Sequence, residues 1–182
     1  MDTVKQTFHE IQEIEDTKLR EQTARAWIEA WQNGRFSLID DAVVSPQMPQ
    51  YKLRDHVRAV TKIAVAVAKV LEETHGLHVN KDYVIAGALL HDIDKMMIYE
   101  KKGEAYGLTD IARKFPHGYL GALIAHKVGL PEDIEHMILS HTTKHISSPQ
   151  TAEAIIVYYA DCADFDALAH ASNKTLLMER KS

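Results

Sequence analysis

Apolar residues recur along this chain at intervals of three and four over most of its length, and no stretch alternates apolar with polar at a period of two. Such spacing lays one apolar stripe on each of a succession of helices, so the chain reads as all-α. Val4, Phe8 and Ile11, then Leu19, Thr23, Ala26, Trp27, Ala30 and Trp31, mark two N-terminal helices or one bent one, stopped at Asn33-Gly34. Pro46 and Pro49 keep the next segment out of helical geometry, after which Val57, Val60, Ile63, Ala64, Val67, Val70 and Leu71 predict a long helix ending near Gly76. Asn80 is the N-cap for DYVIAGALLHDIDKMM, a helix apolar on nearly every side up to His91 and therefore central. Tyr99 to Phe115, with Gly103 and Gly107, predict a loop, suited to be a lid, with at most one short helix around Thr109 to Lys114. Pro116-His117 opens a helix through Leu120, Leu123, Ile124 and Val128 that Gly129 closes, and Pro131 opens another through Ile134, Met137 and Ile138, with His141 at its end. Ser148 as cap and Pro149 in the first turn start the last helix, TAEAIIVYYADCADF.

With 182 residues and no repeat, low-complexity tract or linker, the chain suits one domain large enough to bury a core. A net charge of -5 disfavours a surface that gathers nucleic-acid phosphates. No secretory signal and no long uncharged span is present, so a cytoplasmic, membrane-free protein is expected. Cys162 is the single cysteine, which excludes an internal disulfide, and its apolar neighbours suggest a small buried side chain.

Chemistry enters at His91-Asp92. An ionised carboxylate at the end of a buried apolar helix is costly unless a cation or hydrogen-bond donors meet it. His56, His117, His141 and Asp161 are likewise polar residues among buried neighbours. Taken together the six point to a metal site, whereas His117 and His141 taken alone also suit the ends of helices. Imidazole with carboxylate fits Fe, Mn, Zn, Co or Ni, and the lack of cysteine ligands argues against a purely structural zinc. Lys95, one turn after His91, projects towards the same region or complements a helix C-terminus. Asp94 and Asp164 suit hydrogen bonds to ligand imidazoles or, equally, the surface. His9, His75, His78, His126, His136 and His170 lack such a context. Trp27 and Trp31, one turn apart, read as core packing.

This pattern of His56, His91-Asp92 and Asp161 resembles the HD superfamily of metal-dependent phosphohydrolases. The likeness runs from about Leu53 to Leu168 and includes Leu-Leu-His-Asp-Ile-Asp-Lys and Tyr159-Ala160-Asp161. His117 and His141 match its two-metal branch. The resemblance implies a single-domain helical bundle, with an HD metal-binding domain over 51-182; residues 1-50 fall outside it and are expected as a helical extension that packs on the core, covers the cleft or forms a homodimer interface. It further implies one or two divalent ions, with Asp92 bridging, His56, His91 and Asp161 on one and His117 and His141 on the other. The expected reaction is hydrolysis of a nucleotide or small phosphorylated metabolite by a metal-bound hydroxide, with Asp92 and Lys95 catalytic. Lys95, Lys144, His145, Arg113 and Tyr119 are the candidate substrate contacts. Two alternatives stay open: a mixed-valent diiron oxygenase acting on a polyol or organophosphonate, and a non-catalytic ligand-sensing module. The context His117-Gly118-Tyr119-Leu120 lacks the Gly-Tyr-Pro of cyclic-dinucleotide phosphodiesterases, which disfavours that substrate.

Overall fold

The computed structural model describes residues 1–142 and 148–179. Eight α-helices carry the architecture among these residues: α1 (Asp2–Thr7), α2 (Thr17–Gln32), α3 (Leu53–His75), α4 (Lys81–Leu90), α5 (Lys95–Ile98), α6 (Tyr119–Lys127), α7 (Glu132–Ser140) and α8 (Ala152–Ala171). Short 3-10 turns at His9–Glu13, Ile39–Asp41, Ile111–Arg113 and Leu177–Glu179 link or follow them. None of the described helices is long and apolar enough to cross a membrane.

Local chemistry sets the ends of these helices. Asp16 caps α2 by accepting from Leu19 N, and Asn80 caps α4 by accepting from Tyr83 N. Gly76, at φ 65°, ends α3 in the left-handed conformation that a Cβ disfavours. Helix α4 lies at the centre, packed against α2, α3, α7 and α8, and every residue from Val84 to Leu90 is buried. A single large core takes in the N-terminal segment as well: Phe8 stacks on the fully buried Trp27 at 4.2 Å, and Val4, Ile11 and Ile14 join the same cluster. Trp31 is only half-buried against it and donates to Ser37 O. A smaller satellite core forms where Val44 and Met48 of the α2–α3 connection meet Phe165 and Ala169 of α8.

The chain departs from the sequence reading at five places. The segment DYVIAGALLHDIDKMM is not one helix, because Ile93 N bonds Leu90 O and Lys95 N bonds Asp92 O, tightening His91 to Asp94 into a turn between α4 and α5. The predicted loop from Tyr99 to Phe115 contains an antiparallel hairpin, β1 (Tyr99–Lys102) and β2 (Ala105–Leu108). Gly103, at φ 62°, occupies the first of its two turn positions, where two-residue hairpins require positive φ. Helix α6 starts at Tyr119, since Gly118 at φ 88° turns the chain after Pro116-His117. Helix α8 is capped by Thr151, which accepts from Ala154 N, so Ser148 and Pro149 precede it. Finally, Val67 and Val70 on α3, assigned to its apolar stripe, face solvent.

Candidate metal centre

Five segments bring the six polar residues together. His56 comes from the first turn of α3, His91 and Asp92 from the turn after α4, His117 from the approach to α6, His141 from the end of α7 and Asp161 from the middle of α8. His56 Nε2 lies 3.3 Å from His91 Nε2, 3.0 Å from Asp92 Oδ2 and 3.2 Å from Asp161 Oδ1. On the other side, His117 Nε2 lies 3.2 Å from His141 Nε2 and 2.9 Å from Asp92 Oδ1. Two donor sets result, His56–His91–Asp92–Asp161 and Asp92–His117–His141, each with its ligand atoms within 4.8 Å of one another. Asp92 belongs to both and turns one oxygen towards each.

Three of the four outward ring nitrogens are hydrogen-bonded, and the fourth, His117 Nδ1, lies against a carboxylate without a well-aligned hydrogen bond. His56 Nδ1 meets Asp164 Oδ2 at 2.6 Å and His117 Nδ1 meets Asp94 Oδ1 at 2.9 Å. His91 and His141 donate from Nδ1 to the carbonyls of Ala88 and Ile138, both at 2.7 Å. The bonds at His56, His91 and His141 fix the tautomer whose Nε2 lone pair points inward, the arrangement that outer hydrogen bonds impose on metal-ligating histidine. Asp94 is itself held by Gly118 N, which donates to its Oδ2 at 2.6 Å. Donor type, convergence and tautomer therefore fit one or two divalent ions.

Electrostatics agree. Burial works against charge on every ring, yet at His56 the bonds to Asp161, Asp164 and Asp92 prevail and hold it well above the usual histidine range. His91 is raised as well, burial being outweighed by Asp92 and Asp161. Burial also opposes the His117 proton, but Asp94 and Asp92 push that ring up to about 10. His141 moves down, because burial and the charges on His117 and His91 outweigh its bond to Asp92. Burial would raise Asp92, but Lys95 and His91 hold it well below the usual carboxylate range, and His56 and His91 do the same for Asp161. Buried carboxylates thus draw positive charge inward, and protons on the rings stand where cations would.

Lys95 is buried, and its Nζ bonds Asp92 Oδ2. Desolvation weakens its charge, but Asp92 outweighs it and the pKa is raised. Lys95, Asp92, His117, His141 and Asp161 form the floor of a cleft of about 430 Å³, whose walls come from Ser45, Pro46, Gln47, Tyr99, Gly107, Leu108, Thr142, Phe165 and Leu177. Of the other candidate substrate contacts, Arg113 is exposed and pairs with Asp110, and Tyr119 stacks on Phe115; neither lines this cleft. Lys144 and His145 lie outside the described residues. His9, His75, His78, His126, His136 and His170 join neither donor set. Cys162 is half-buried, not enclosed, and burial followed by the Asp161 charge pushes its thiol up to about 11.

The wall residues were not identifiable from sequence. Ser45 and Gln47 sit in an irregular segment, Leu177 opens a single 3-10 turn, and Tyr99 and Leu108 belong to strands, all too short to show a periodicity.

A family model described as HD domain matches residues 53–166. Dihydroneopterin 2',3'-cyclic phosphate phosphodiesterase of Methanocaldococcus jannaschii is 43% identical over 115 residues, covering 62% of this chain and 45% of that protein. Ribonuclease Y of Acidothermus cellulolyticus is 34% identical over 85 residues, and that of Thermotoga maritima 38% over 85, each covering 47% of this chain and 14% of the relative. The chain thus spans less than half the length of these relatives. No solved structure matches significantly.

Proposed function

The chain belongs to the HD domain family, and from that membership, taken with the two donor sets, we propose that it hydrolyses a phosphate ester in a small phosphorylated metabolite. The observation that carries this is the inward Nε2 geometry of four histidines around a carboxylate that serves both sets. A relative that acts on a cyclic phosphate favours hydrolysis over the oxygenase and sensing readings.

His56, His91, Asp92 and Asp161 would hold one divalent ion, and Asp92, His117 and His141 a second. Such ions supply Lewis acidity, lowering the pKa of water and drawing charge from a phosphoryl oxygen. Asp92 ties the two sets together, and its bond to Lys95 keeps the ammonium at the cleft floor. There the Lys95 charge balances the negative charge that grows on phosphoryl and leaving-group oxygens as the ester bond breaks. Asp164 keeps the His56 ring from rotating and the Asp94 charge lies against His117, so the floor needs little reorganisation when substrate arrives.

The test is turnover of a phosphoester panel that includes dihydroneopterin 2',3'-cyclic phosphate, by protein loaded separately with Mn, Fe, Co, Ni and Zn and checked by elemental analysis. Hydrolysis with at least one metal is expected. A fully loaded protein that cleaves no ester with any of them would remove the proposal.

A further inference from the structure

The two halves of the cleft differ in chemistry and in origin. Its floor is ionic and lies within the residues that the HD family model matches. Much of its wall is apolar, and several parts come from outside that span: Ser45, Pro46 and Gln47 precede it and Leu177 follows it. Tyr99 and Leu108 are direct cross-strand partners, so both side chains stand on the same face of the hairpin, the face that lines the cleft. Phe165 and Leu177 come from the satellite core. Leu177 is held there because its N–H donates to Asp166 Oδ1, with Met178 N reaching the same carboxylate at 3.4 Å. Leu108, at 52% exposure, lines the cleft and offers apolar surface to whatever enters it. Among the described residues that line the cleft, Lys95 is the only Lys or Arg, so the described floor presents one ammonium to a phosphoryl group.

We propose that Tyr99, Leu108, Phe165 and Leu177 read the organic half of the substrate, and that this substrate is a phosphate ester carried by a flat, weakly charged ring. Flat rings gain from stacking and edge contacts with aromatic side chains that flexible chains do not match. A cleft of this size also lies within the range for small ligands. The assignment rests on the hydrolase reading for its phosphoryl end, while the wall is testable without turnover.

Binding of three inert probes, phenylphosphonate, n-hexylphosphonate and methylphosphonate, to the metal-loaded chain is measured by calorimetry. Phenylphosphonate is expected to bind about tenfold or more tighter than methylphosphonate and tighter than n-hexylphosphonate. Leu108→Ala and, independently, Leu177→Ala should each shrink the phenyl-to-methyl ratio by at least about threefold, and Leu108→Met should restore most of it. Because Leu108 is more than half exposed, its variant reports even if Leu177→Ala loosens the satellite core. Equal affinity for phenyl and methyl probes, or ratios that ignore both variants, would overturn the assignment, and hexyl matching phenyl would overturn the ring. A phenyl preference that responds to the variants in a protein that cleaves no ester would leave the wall standing and defeat the hydrolase reading instead.

Discussion

At the scale of single residues, the sequence marks the ligands better than their supports. His91, Asp92 and Asp161 stand out because they end or interrupt apolar runs, His56 stands out only through its place in the family-like pattern, and the structure brings all four together. Asp94 and Asp164 do not stand out, since a carboxylate two or three positions from a ligand serves an imidazole or solvent with equal ease; their roles appear only when His117 and His56 are placed. Asp164→Ala leaves His56 Nδ1 without its partner and is expected to lower metal affinity or turnover about 10–100-fold, read by metal titration. Lys95→Ala should retain metal, as elemental analysis would show, while kcat drops about a hundredfold or more, because it removes charge stabilisation and no ligand. The metal-free site also carries a pH signature. His117 rises from an ordinary 6.5 to about 10 on folding, so its contribution to stability is complete below pH 6.5 and disappears as pH climbs through 10. Asp92 and Asp161 are depressed from 3.8, so their contributions are present above that pH and are lost in acid. Melting temperatures of chelator-treated protein should therefore fall from pH 7 towards pH 10, and metal loading, which replaces the ring proton, should flatten that fall.

At the scale of elements, helices were legible because a period near 3.6 repeats over many residues, as in α3, and because caps such as Asn80 and stops such as Gly76 have local causes. The hairpin was not: four-residue strands written Tyr-Glu-Lys-Lys and Ala-Tyr-Gly-Leu offer too few positions for a period-two signal. Nor was the break after Leu90, where backbone bonds three apart end α4 although buried apolar residues, Ile93, Met96 and Met97, continue beyond it. His91 itself keeps helical dihedrals, φ -52° and ψ -40°, and the chain tightens after it. Gly118 turns the chain before α6. A Cβ there would come within 2.6 Å of the Ile138 carbonyl, at a φ of 88° that L side chains rarely adopt. Gly118→Ala is expected to cost about 2 kcal/mol or more in denaturant unfolding and to weaken metal binding at the His117 side, because Gly118 N also holds Asp94.

At the scale of the whole molecule, the residues ahead of the matched span complete the core. Glu10, 2% exposed, receives Arg58 Nε at 2.9 Å, and Asp82 in the first turn of α4 accepts from Glu15 N and Asp16 N, each at 2.8 Å. Arg58→Ala would leave a buried carboxylate without its cation and should destabilise the chain by about 2 kcal/mol in chemical denaturation, the guanidinium being partly solvated. The Trp27 indole donates to Leu89 O at 3.0 Å, two positions before His91, with Phe8 stacked on its ring. An indole so enclosed emits at short wavelength, and anything that shifts the end of α4 alters its surroundings. With Trp31→Phe removing the second fluorophore, the protein carries its own optical gauge, and the arrival of an ion at the opposite side of that turn can be followed by light alone, without dye or substrate.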